Sequence, residues 1–185
     1  QVASGTAQFP ALTTNNLPTL VRSGVIIPRQ PSAETTVAAR NGNLNLLIVP
    51  GEDRDGSASG ELCWDDGDSI VEDLQTSFTK TSFNFTMSAS AASLSVTVEP
   101  VKGVTNPRLE YLELFGYPGP VDLKTFKLDG KALSIDSSKT FYSKFTQILK
   151  ICISRPIDIS AAGTQTITWT HQVSSSHLAT NRVPI

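Results

Sequence analysis

The chain has 185 residues, 39% of them hydrophobic, with a net charge of −2. That is enough to bury the core of one ordinary domain or two small ones, and it leaves no basic stripe for nucleic acid. Charged residues make up 17% against a usual value of about 25%, and Ser and Thr fill the difference, as on the outer strand faces of extracellular β-proteins. No apolar run approaches the roughly 18 residues of a membrane span.

Gln1 opens the chain without a basic and apolar leader, the start expected of a cleaved chain rather than of a signal peptide. Leu44–Val49 is apolar but is interrupted by Asn45 and stopped by Pro50. Asp53-Arg54-Asp55-Gly56 matches positions 3, 5 and 6 of a calcium loop. Gly51 and Leu62 stand at positions 1 and 12, so the bidentate carboxylate is missing and a solvated loop is expected. With no third or fourth sulfur and only two histidines a zinc site is not expected, and neither another metal nor a cofactor is.

Gly60 to Ser69 (GELCWDDGDS) holds the densest acidic cluster. Glycoside hydrolysis needs two carboxyl groups facing each other about 5 to 9.5 Å apart. Asp65 and Asp66 are sequence neighbours, and in extended backbone such side chains diverge. Trp64-Asp65-Asp66-Gly67 therefore reads as a structural turn whose acids accept local backbone N–H bonds. Ser69–Gln75 carries capping-box spacing and a short apolar stripe, which predicts a helix of about two turns.

A composition shift near Thr76 to Thr81 predicts a domain boundary, giving residues 1–78, 79–173 and a tail, 174–185. Beyond it, alternation of period 2 dominates. Phe83, Phe85 and Met87 alternate with polar residues, as do Leu94, Val96 and Val98, then Leu149, Ile151 and Ile153, then Ile167 and Trp169. Asn106-Pro107, Pro118-Gly119-Pro120, Asp129-Gly130 and Ala162-Gly163 separate the runs, Asp129-Gly130 as a tight hairpin. An all-β fold is predicted, with two small antiparallel β-sandwich domains, the first incomplete.

Asn84-Phe85-Thr86 is the one N-x-S/T sequon, with Asn84 outward if Phe83 and Phe85 point inward. Cys63 and Cys152 allow one disulfide closing a loop of about 90 residues, or two buried thiols. His171 shares the phase of Ile167 and Trp169 and reads as a partly buried or capping histidine. Neither it nor His177 accompanies a nucleophile motif such as G-x-S-x-G. Trp64, Tyr111, Tyr117 and Tyr142 are the rings available for stacking on a sugar.

The WDDG block and Leu20–Pro28 (LVRSGVIIP) together resemble the C-terminal region of family 31 glycoside hydrolases, the α-glucosidase group. Gln30, Thr35-Thr36, Thr105-Asn106-Pro107, Leu112–Gly116, Thr146–Ile153 and Thr166–Trp169 extend the resemblance from about Phe9 to His171. The resemblance implies proximal and distal β-sandwiches that follow a catalytic barrel, and the barrel's nucleophile motif does not occur in this chain, so no catalytic residue carries over. It also implies a processed, non-catalytic chain packed on a larger catalytic α-glucosidase chain, in the secretory pathway, lysosomal or extracellular. Two other readings remain open: a secreted assembly module that pairs with further copies of itself into a dimer or filament, and a carbohydrate-binding module.

Overall fold

The computed structural model describes residues 19–51, 56–67 and 77–171. Its strands are β1 (Val25–Arg29), β2 (Leu44–Val49), β3 (Ala58–Trp64), β4 (Thr79–Met87), β5 (Ala91–Glu99), β6 (Leu109–Leu114), β7 (Lys127–Leu128), β8 (Lys131–Ala132), β9 (Phe141–Ser143), β10 (Ile148–Ile157) and β11 (Gly163–Thr170). A one-turn helix, α1 (Thr36–Arg40), lies between β1 and β2, and a short 3₁₀ turn covers Leu123–Thr125. The all-β expectation holds, and no helix among the described residues is long and apolar enough to cross a membrane. The helix expected over Ser69–Gln75, the calcium-like loop, His177 and the tail lie outside the described residues.

All the strands join one sheet in the order β8-β7-β11-β5-β4-β3-β1-β2-β6-β10-β9. Most pairings are antiparallel, but β1 meets β3 and β2 meets β6 in parallel. The boundary expected near residue 78 is not a break between sheets. β3 and β4 pair along their whole length, from Ala58 opposite Phe85 to Trp64 opposite Thr79, and strands from before residue 78 sit between β4 and β6.

The sheet curls until its ends approach each other. Leaving β8, the chain crosses to the free edge of β10: Ile135 bridges to Ile153, the Asp136 N–H donates to the Cys152 carbonyl (2.8 Å), and the Ser154 N–H donates to Ser134 (3.0 Å). Closure of this kind removes the unpaired edge that an open sheet would expose. It also buries both alternating sets on one core, which includes Ile26, Leu46, Phe83, Phe85, Leu94, Leu112, Ile151 and Trp169. The Asp129-Gly130 hairpin forms as expected, with positive φ at both residues.

Trp169 sits at the centre of this core. Its ring stacks on Phe126 (centroids 5.1 Å, 10° between planes) and lies 6.0 Å from Phe85, a geometry worth about 0.5–1.5 kcal/mol per aromatic pair beyond area burial. Its Nε1–H donates to the Tyr117 hydroxyl at 2.8 Å, and that hydroxyl is 2.8 Å from His171 Nδ1. His171 Nε2 lies 3.1 Å from the Ser88 carbonyl oxygen.

The directions in this chain are forced. A carbonyl only accepts, so Nε2 carries the proton; the neutral ring then accepts at Nδ1, and Tyr117 donates to it. Every polar atom in the relay is satisfied with His171 neutral. Burial lowers the imidazole pKa, partly opposed by the bond to Ser88, and burial raises that of the Tyr117 phenol. His171 is thus a fully partnered buried histidine, beyond the partly buried one expected.

Because the folded imidazole titrates below its ordinary value of about 6.5, the unfolded chain takes up the proton first as pH falls. The stability this site contributes is present above about pH 6.5 and is lost as pH drops toward the lowered folded value. Urea melts across this range should show stability declining with pH, and His171→Gln should flatten that part of the profile. Tyr117→Phe, which strands the Trp169 N–H and His171 Nδ1, should cost about 1–3 kcal/mol for each group left unpaired.

Candidate functional site

Four sequence features converge at one end of β3. α1 starts at Thr35, whose backbone is extended (φ −135°, ψ 157°) and whose Oγ1 accepts the Ala38 N–H at 3.1 Å, an N-cap that satisfies one of the orphan donors of a helix start. The Gln30 side chain donates from Nε2 to the Ala39 carbonyl at 2.6 Å, closing the other end of the turn. A five-residue helix is too short to stand by propensity alone, so these side-chain bonds fix it, and with it the last residue, Arg40.

Arg40 reaches over the acidic turn. Its Nη2 donates to the Asp65 carbonyl oxygen at 2.6 Å and lies 3.0 Å from Asp65 Oδ1. Its guanidinium carbon is 4.3 Å from the Trp64 ring centroid, a cation–π contact. Gly67 has φ +80°, and a Cβ placed there would stand 2.7 Å from Arg40 Nε. One guanidinium therefore accounts for three of the four positions of the turn: Trp64 as the stacking face, Asp65 as the acceptor through main chain and carboxylate, and Gly67 as the space.

The glycine that opens the block has a separate role. At Gly60 a Cβ would lie 2.1 Å from the Ile26 carbonyl oxygen, so only glycine lets β1 pass this close to β3 in their parallel contact.

The turn suits support rather than catalysis. The Asp65 carboxylate is committed to Arg40 instead of facing a second carboxyl group across a sugar-sized gap, while Asp66 is exposed beside it. Among the described residues no group of three or more His, Cys, Asp or Glu side chains can hold a metal ion.

Other expected sites are dispersed. Asn84 is exposed on β4 between the inward Phe83 and Phe85. Cys63 is exposed, Cys152 is buried, and both are free, so the bridge that the sequence allowed is not made. β1, β2 and β6 separate the two strands within the sheet, and a disulfide needs Cα atoms within about 7 Å. Cys152 does lie on the face opposite Leu149 and Ile151, yet it is buried there, with its N–H donating to Thr140 Oγ1 and its carbonyl accepting the Asp136 N–H.

The rings proposed for sugar stacking are occupied. Tyr117 is buried in the relay, Trp64 lies under Arg40, Lys150 sits over Tyr111, and the Tyr142 hydroxyl donates to the Tyr117 carbonyl. Among the described residues the exposed aromatic rings are Phe141 and Phe145. Sequence reasoning missed Arg40; the available signal was an arginine ending the short segment that Thr35-Thr36 opens.

A closed β-module with an internally satisfied acidic turn is the class of protein these features define. Comparison with known proteins narrows it. Over 149 residues, 80% of this chain, it is 30% identical to a Schizosaccharomyces pombe protein described as an uncharacterized family 31 glucosidase, of which it spans 13%. It is 47% identical over 62 residues, 33% of the chain, to a probable alpha/beta-glucosidase of Aspergillus clavatus, spanning 7% of that protein. An alpha-glucosidase of S. pombe matches at 36% identity over 46% of the chain and 9% of its own length.

Among solved structures, a family 31 dextranase of Flavobacterium johnsoniae superposes with a TM-score of 0.60 at 19% identity, over 82% of this chain and 19% of that one. An alpha-1,4-glucan lyase of Gracilariopsis lemaneiformis gives 0.55 at 15% identity, over 81% and 16%. Both support the fold. No family model matches the chain. Sequence and fold together identify it as related to family 31 glycoside hydrolases, with partial coverage consistent with their C-terminal region.

Arg40→Ala should lower stability by about 1–2 kcal/mol, the range for a charge-assisted bond discounted because both partners are partly solvated. Arg40→Lys should recover little of it, since an ammonium cannot both stack and fork. Gly67→Ala should destabilise by a similar amount, through strain at positive φ and the clash with Arg40. Chemical denaturation of the three variants measures all of these effects.

Proposed function

We propose that this chain is a non-catalytic β-domain of an α-glucosidase-like protein of the secretory pathway, and that it packs on a catalytic barrel which it stabilises. The observation that carries this reading is the Arg40–Asp65 pair: the one conspicuous carboxylate motif is held by a guanidinium as part of the scaffold. Similarity to family 31 glucosidases several times longer than this chain supports a larger protein around it.

The outward face of β1 and β2 supports the packing. Opposite the core-facing Ile26, Leu46 and Ile48 stand Val25, Ile27 and Val49 around a buried Leu47; Val25 and Val49 are half-buried and Ile27 is 38% exposed. The Arg29–Glu113 ion pair borders this apolar strip. An apolar centre with a charged rim is the anatomy of a protein–protein contact, and the occupant of this one is the barrel.

Native material captured with an antibody to this chain should bring down α-glucosidase activity and a second, larger segment carrying it. Ile27→Asp should weaken that association about tenfold or more, the scale of a central interface residue, while the circular dichroism of the isolated chain stays unchanged. Capture of this chain alone, or only of copies of itself, overturns the reading.

A further inference from the structure

The other outward face is built differently. On β4, Asn84 pairs across to Ser59 of β3 and to Ser95 of β5, and Ser95 pairs on to Thr166 of β11. The neighbouring rows run Thr86, Ser93, Thr168 and Ser82, Thr97, Thr164, with Thr97 and Thr164 hydroxyls 2.9 Å apart. The nearest charges on β3 and β4 are Glu61 and Lys80, which bond to each other at 3.0 Å. Asn84 thus stands, exposed, in the middle of a field of short hydroxyl side chains.

Successive residues of a strand point to opposite faces. Phe83 and Phe85 are 0% and 1% exposed, while Asn84 and Thr86 both point outward, so an acceptor amide and the hydroxyl two residues on share one face. A bulky substituent on Asn84 would extend into solvent without disturbing the core on which Phe83 and Phe85 pack.

We propose that Asn84 is an N-glycosylation site and that its oligosaccharide covers the hydroxyl face of β3, β4, β5 and β11. Asn84 Nδ2 forms a bond to C1 of the reducing-end N-acetylglucosamine of a lipid-linked oligosaccharide diphosphate. The bond from C1 to the diphosphate oxygen breaks, the lipid diphosphate leaves with the electron pair, and Nδ2 gives up one proton. Nothing is oxidised or reduced. The Thr86 hydroxyl is the part of the sequon that the transferase reads and is not consumed.

This site stands two strands from the Ile27 face, in the row that runs Val25, Ser59, Asn84, and the two readings have separate readouts: the mass of the chain for the glycan, co-capture of a larger segment for the contact through Ile27. The 185-residue chain, secreted from a eukaryotic host behind a leader peptide, should run as a heavier species that collapses on treatment with a peptide N-glycosidase, with Asn84 converted to Asp in the released peptide. Asn84→Gln and Thr86→Ala should each abolish the shift and Thr86→Ser should retain it, so that a folding defect in one variant does not decide the matter. Secretion of the unaltered chain with a single unmodified mass, or a shift that persists in Asn84→Gln, overturns the proposal.

Discussion

An indole can only donate a hydrogen bond and a carbonyl can only accept one, and between them these two facts order the protons at the heart of this protein. Trp169 is buried between Phe85 and Phe126, so its N–H must find a partner inside the core. Tyr117 accepts it and donates its own O–H to His171, which donates in turn to Ser88. The relay ties the end of β11 to the chain after β6 and to the β4–β5 turn. The Tyr117 carbonyl also accepts the Tyr142 hydroxyl and its N–H donates to the Gln147 carbonyl, so the β9–β10 end of the sheet is held to the same point. A network of this kind rigidifies when every member is satisfied and is costly when one is lost.

The curl of the sheet follows from the same need for closure. Each strand presents one apolar face, and a sheet of this length left open would expose both that face and two rows of unpaired backbone groups. The passage from β8 to the edge of β10 answers both problems with one segment. The outcome is a body with one core and two unlike outward faces, apolar on β1 and β2 and hydroxyl-rich on β3, β4, β5 and β11.

Arg40 plays the corresponding part at the periphery. Gln30, Thr35, Trp64, Asp65 and Gly67, scattered over nearly forty positions of sequence, are joined by one guanidinium and the one-turn helix that carries it. The motif that reads as a structural turn in the sequence becomes a fastening in the fold, since a carboxylate and a main-chain carbonyl that share one arginine are held by it. On the function proposed above, that fastening belongs to a β-domain that holds shape beside a catalytic unit.

The sequence by itself determined strands β4, β5, β10 and β11. Alternation of Phe83, Phe85, Leu94, Val96, Leu149, Ile151, Ile167 and Trp169 with polar residues follows from the two-residue period of extended backbone, and the Asp129-Gly130 hairpin follows from residues that tolerate positive φ. It also determined which face Asn84 takes and why Asp65 and Asp66 make a poor catalytic pair. Tertiary structure alone decided the rest. A period of 2 says which face is buried but not which strand lies alongside, so the parallel contacts of β1 with β3 and β2 with β6, and the single sheet running across residue 78, were not legible. Helix α1 has only five residues and is fixed by Gln30 and Thr35, bonds with no periodic signature. Arg40 meets Asp65 across 25 positions, and Tyr117 meets Trp169 across 52; separations of that size are set by how the chain folds back on itself, and no local pattern records them.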